Sequence, residues 1–210
     1  MGFVYNNPTE AMAKTYLEMN GFLVQNNLFT DLLSQPDGKS YRFEADLIGF
    51  KPPNTTIFRE YDLQAPVDKR SDKPTAPAEE FFAGDNADAN WVYCELKANF
   101  LDLDYSTQVK DLAVANKAAV EHKREQIANR FGLKAHQVRV VIMAYHCTGD
   151  VRDVIVANGW LYKDLVDVFE FILGRFHIMW NSKARIAYSD PWLDMAKHVA
   201  FAGYHRDPPA

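Results

Sequence analysis

The sequence predicts an α/β fold, a central mixed β-sheet flanked by helices on both faces, from three observations. Segments whose apolar residues recur every second position alternate with segments of helical repeat. Their order is helix, strand, strand, strand, helix, strand, then more helix. One strand, Val138-Arg139-Val140-Val141-Ile142-Met143-Ala144-Tyr145, is apolar on both sides and needs cover from both. The chain has 210 residues, 48% hydrophobic and 24% charged. That suits one domain with its own core and excludes a wholly disordered chain, a collagen and a coiled-coil rod.

The first helix has a clear start. Asn7 stands at the cap, Pro8 at the first helical position and Glu10 at the third; Met12, Tyr16 and Met19 follow at helical spacing, and Asn20-Gly21 supplies the stop. Phe22 to Phe29 reads as a strand, and Pro36-Asp37-Gly38 as a turn. Tyr41 to Phe50 alternates: Tyr41, Phe43, Ala45 and Leu47 take one face, and Arg42, Glu44, Asp46 and Ile48 the other. Five of the ten prolines fall between Lys51 and Asn90, so this stretch reads as a long insertion, with Thr56 to Leu63 a candidate strand within it. In Trp91 to Ala98, Val92, Cys94 and Leu96 share one face and Trp91, Tyr93, Glu95 and Lys97 the other.

A helix is predicted from Ser106 to Phe131, stopped by Gly132, with Val109, Leu112, Ala113, Val120, Ile127 and Phe131 as its apolar stripe. Gly159 to Tyr162 reads as a short strand. Lys163 to Leu173 reads as a helix with Leu165, Val166, Phe169 and Ile172 inward. From Phe176 onward a strand-like piece and a helix over Pro191–Ala202 are expected. Residues 1–175 are therefore taken as the domain, carrying the 51–90 insertion, and 176–210 as an extension packed on it.

The net charge is −5, with 9 basic and 15 acidic residues in the first hundred against 14 and 13 in the rest. An acidic half disfavours indiscriminate nucleic-acid binding and suits a site that collects a divalent cation. Cys94 and Cys147 sit in apolar runs and read as reduced core thiols. The opening Met1-Gly2-Phe3-Val4-Tyr5-Asn6 lacks the regions of a signal peptide, and no apolar run is long enough to cross a bilayer. A cytoplasmic protein with no membrane partner is expected. The six histidines show no metal-ligand spacing, and there is no glycine-rich phosphate loop.

The chemistry concentrates where charge interrupts core-like strands. Asp46 lies among Ala45, Leu47 and Ile48; Glu95 and Lys97 lie one pleat apart on the next strand. Pairing of those strands puts Asp46 beside Glu95. Two adjacent buried carboxylates repel, and a divalent cation between them removes that cost. Lys97 adds a cation able to meet a phosphate oxygen or an attacking water. The plainer alternative is a structural lysine–carboxylate pair on a solvated sheet face.

Asp46, then Glu95-Leu96-Lys97, then a helix, resembles the PD-(D/E)xK, or restriction-endonuclease-like, nuclease superfamily, most of all the branch of Mrr-type enzymes and Holliday-junction resolvases. The resemblance spans residues 7–162. Ala45 precedes Asp46 where many members have proline, and the stretch from Asp46 to Glu95 is longer than the usual hairpin. The resemblance implies a restriction-endonuclease-like core and a Mg²⁺ (or Mn²⁺) site held by Asp46, Glu95 and the carbonyl of Leu96, with Lys97 positioning water. Glu10 and Gln108 match accessory positions of that branch, although Glu10 equally fits a capping box and Gln108 an ordinary helix start. Glu44 is an accessory candidate or a partner of Arg42. Lys110, Lys117 and Arg124, seven residues apart, form a stripe that tracks a phosphate backbone or is simply solvated. DNA is the expected substrate and a homodimer an expectation of the family alone. A catalytically inactive member acting as a nucleic-acid or protein binding module is the alternative.

Overall fold

The computed structural model describes residues 8–34, 40–53, 90–97, 106–145 and 149–178. They form a five-stranded mixed sheet in the order β1-β2-β3-β4-β5, with β1 Leu23–Ser34, β2 Ser40–Lys51, β3 Asn90–Lys97, β4 Val138–Ala144 and β5 Leu161–Asp164. The helices are α1 Pro8–Met19, α2 Ser106–Arg130, α3 Gly149–Ala157 and α4 Leu165–Ile178. β1 and β2, and β2 and β3, pair antiparallel; β3–β4 and β4–β5 are parallel, joined through α2 and α3. Parallel neighbours need such crossovers, because a tight turn cannot return the chain to the same end of the sheet.

The period-two alternation sorts side chains onto two faces. On one, Leu47, Val92, Cys94, Val141 and Met143 pack with Met12, Ala13, Tyr16 and Leu17 of α1 and with Leu165, Val168 and Ile172 of α4. On the other, Ile48, Tyr93, Val140 and Ile142 meet Val120 and Ile127 of α2 and Val151 and Ile155 of α3. A twelve-residue helix such as α1 is marginal alone, so its stability comes from this burial. The ends of α1 and α2 are set by glycine. Gly21 and Gly132 take φ of 85° and 68°, and the following Phe22 and Leu133 amides donate back to the carbonyls of Leu17 and Ala128 at 3.1 and 2.7 Å. That left-handed closure favours a residue without Cβ.

Several expectations are corrected. β1 runs on past Phe29 to Ser34, its pairing with β2 shifting by one residue between Phe29 and Leu32, as at a β-bulge. α3 is an element the sequence does not predict, because its valines favour strands; Val151 and Ile155, one helical turn apart, bury the same face. Lys163 and Asp164 belong to β5, so α4 begins at Leu165; it continues through Ile178, so the boundary expected at 175 falls inside a helix. Val168 is inward there and Val166 is exposed. Lys51 and Asn90 pair as the last rung of β2–β3, so both ends of the proposed insertion are strand. The turn at 36–38, the strand at 56–63, the helix at 191–202 and the Asn7 cap lie outside the described residues, as does most of the C-terminal extension.

Candidate active site

The β2–β3 ladder runs from Lys51–Asn90 to Leu47–Cys94, while β2 remains paired with β1 as far as Ser40 and β3 with β4 as far as Lys97–Ala144. Beyond Leu47–Cys94 the sheet therefore forks into two ribbons. Asp46 and Glu95 are the first residues past the last rung, one on each ribbon.

At the fork a side chain takes over from the ladder. The Leu96 amide donates to Asp46 Oδ2 at 2.7 Å. In an extended strand the N–H and C=O of one residue point the same way, so the Leu96 carbonyl also faces the β2 side of the fork. Burial, and next the charge of Glu95, raise the Asp46 carboxyl above its ordinary 3.8; the Leu96 amide and the ammonium groups of Lys123 and Lys97 offset this only in part. Asp46 is thus an under-compensated carboxylate.

Glu95 is the opposite case. It is 8% exposed, yet four hydrogen bonds reach its two oxygens. Lys97 Nζ donates to Oε1 at 2.8 Å. Lys123 Nζ donates to Oε1 at 3.1 Å and to Oε2 at 2.8 Å. The Tyr93 hydroxyl donates to Oε2. Burial by itself pushes the Glu95 carboxyl up, but the two ammonium groups together outweigh it and hold the group below its ordinary 4.5. The same burial, with the carboxylate alongside, drives the Tyr93 phenol far above its ordinary range, so it stays a donor. Burial likewise pushes up the Cys94 thiol, which is not a nucleophile in the folded state.

The structure thus brings together Asp46, Glu95, Lys97 and the Leu96 backbone, and adds Lys123. Lys123 is 6% exposed and sits two turns before the C-terminal end of α2. Its signal was present in the sequence: it lies three residues after Val120 and four before Ile127, on the buried stripe and not on the solvated face. Lys97 differs, its side chain being 38% exposed at the mouth of the fork.

The accessory candidates fare differently. Glu10 is carried on α1, whose buried residues pack on the sheet face opposite Tyr93. Glu44 belongs to β2, and Gln108 and Lys110 to α2, but their side chains lie outside the described residues. Lys117 is exposed. Arg124 is turned to another task. Its Nε donates to the carbonyls of Ala135 and Val138 at 2.8 and 2.9 Å, and its Nη1 pairs with Glu121 at 3.2 Å. Glu121 in turn accepts from Trp160 Nε1 at 2.8 Å. Arg124 thereby pins α2 to the entry of β4.

The donor set fits a hard cation in kind. Mg²⁺ takes oxygen ligands and is commonly held by one or two carboxylates with water completing its shell. Asp46, Glu95 and the Leu96 carbonyl are of that kind, and a cation would offset the burial and the neighbouring Glu95 charge that together disfavour the Asp46 carboxylate. Among the described residues no group of three or more His, Cys, Asp or Glu side chains converges, so an all-protein cage of the calcium or zinc type is not what these residues build. Nor is any helix among them long and apolar enough to cross a membrane. In comparisons with known proteins, no family model, no curated protein and no solved structure matches this chain.

Proposed function

We propose that the fork is a metal-dependent phosphodiesterase site acting on DNA, in a restriction-endonuclease-like core of the PD-(D/E)xK kind. The observation that supports it most is the placement of two carboxylates where β2 and β3 part, one under-compensated, with a half-exposed lysine at the mouth. A bound Mg²⁺ or Mn²⁺ would supply charge to polarise a phosphate and acidify a water. Asp46, Glu95 and the Leu96 carbonyl are the groups that would hold it. Lys97 gives one of its three donors to Glu95 and keeps two for a phosphate oxygen and the attacking water, where they meet developing negative charge. Tyr93 and Lys123 fix the orientation of Glu95 from below.

Purified protein incubated with a panel of single-stranded, duplex and branched DNA and with Mg²⁺ or Mn²⁺ is expected to cut at least one substrate. Lys97→Ala is expected to lose cutting while keeping its circular dichroism. Equal cutting by wild type and Lys97→Ala removes the assignment.

A second reading has its own observation. The four hydrogen bonds on Glu95 bring two positive charges, so among the described residues Lys97 and Lys123 already match the charges of Glu95 and Asp46 without a metal ion. That favours a catalytically inactive binding module, for which calorimetry with Mn²⁺ would show no site that Asp46→Asn abolishes.

A further inference from the structure

We infer that Lys123 is an internal counter-ion that competes with a divalent cation for Glu95, so that α2 sets how tightly the fork takes metal. This rests on the metal-site reading above and goes beyond it by assigning a role to a residue outside the Asp–Glu-x-Lys set.

A carboxylate offers about four lone-pair positions. On Glu95 four hydrogen bonds from three donor groups fill them: Lys97 and Lys123 on Oε1, Lys123 and Tyr93 on Oε2. A cation that ligates Glu95 must displace one of these. Lys123 is the donor that spans both oxygens, and it carries a charge of the same sign as the incoming ion. Lys97 stands at the mouth and can turn to water, but Lys123 cannot. It is held between Val120 and Ile127 on the buried stripe of α2, its ammonium 5.9 Å from the centre of the Tyr93 ring. Charge makes the same point. Among the described residues Asp46 and Glu95 face Lys97 and Lys123, so a divalent ion adds two positive charges to a set already matched in sign until an anionic substrate arrives. Lys123 is thus a positioning residue for Glu95 and a competitor of the metal.

The test is Mn²⁺ binding by isothermal calorimetry on the full chain, comparing wild type, Lys123→Met and Asp46→Asn. Methionine has similar length and no charge. Lys123→Met is expected to bind Mn²⁺ at least about tenfold more tightly than wild type, and Asp46→Asn to abolish the site in either background. A merely structural Lys123 predicts the reverse, since its loss would loosen Glu95 and weaken the site. Asp46-dependent binding that is equal or weaker in Lys123→Met overturns the competition and leaves the metal site standing. Absence of any Asp46-dependent binding in both proteins overturns the metal-site reading and the competition with it. Should Lys123→Met fail to fold by circular dichroism, Lys123→Gln, neutral but still a hydrogen-bond donor, decides by the same comparison.

Discussion

Replacing Glu95 by glutamine keeps the shape of the side chain and removes its charge. The structure says what that leaves behind. Lys123, 6% exposed, loses a partner that met it through both oxygens at 2.8 and 3.1 Å. Removing one member of a buried ion pair costs about 3–5 kcal/mol, because the other charge is left uncompensated. Two features reduce this. Lys97, whose side chain is 38% exposed, can turn to water when Glu95 loses its charge, so little of the cost falls on it. Asp46, raised first by burial and then by Glu95, is relieved when its charged neighbour goes. A loss of about 2–3 kcal/mol remains, or about 4–12 °C in midpoint for a chain of this size. Urea unfolding at pH 7 with EDTA is the assay, run on Glu95→Gln, Lys123→Met and the double variant. The double variant is expected to be less destabilised than the two single losses summed, by about 1 kcal/mol or more. A Glu95→Gln protein within about 0.5 kcal/mol of wild type at unchanged m-value, or no coupling in the cycle, would refute the buried network.

Three further outcomes follow from the same geometry. Lys97→Ala should cost less than about 1 kcal/mol in the same unfolding assay, because its ammonium end is open to solvent and Lys123 and Tyr93 still hold Glu95; a larger loss would make Lys97 a folding residue. The two carboxylates carry opposite pH signs. Glu95, lowered in the fold, contributes stability that is present above its ordinary 4.5 and is lost as pH falls through its folded value; Asp46, raised, contributes stability that is present below 3.8 and is lost as pH rises through its folded value. In EDTA, Asp46→Asn should therefore be more stable than wild type at pH 7 and converge with it in acid, while the Glu95→Gln deficit closes as pH falls; urea midpoints against pH check both signs. Gly49→Ala should destabilise by about 1–3 kcal/mol, since a Cβ there would stand 2.7 Å from Val92 Cγ2 and 3.1 Å from Phe22 Cδ1; unfolding midpoints unchanged from wild type would contradict that packing.

The sequence carried the layers of this fold better than its junctions. Alternation in β3 placed Val92 and Cys94 on one face and Tyr93, Glu95 and Lys97 on the other; the two cores separate Val92 and Cys94 from Tyr93, and hydrogen bonds join Tyr93 and Lys97 to Glu95. Alternation says which face a residue takes, but not where two strands part. The fork beyond Leu47–Cys94 arises from pairing partners distant in sequence, β1 holding β2 while β4 holds β3. Lys123 was legible in principle from its spacing to Val120 and Ile127, but the basic stripe through Lys117 and Arg124 pointed to solvent. One member of that stripe, Arg124, is committed to carbonyls at the start of β4. Similar competition hides α3, whose valines prefer strands until Val151 and Ile155 find a shared core.

The most direct measurement is anomalous diffraction from crystals of the full chain grown with Mn²⁺. A single strong peak is expected within bonding distance of the Asp46 and Glu95 carboxylates, with the Leu96 carbonyl facing it. Crystals in which Asp46 still holds the Leu96 amide, Lys123 still spans Glu95, and no peak lies between the two carboxylates would contradict it.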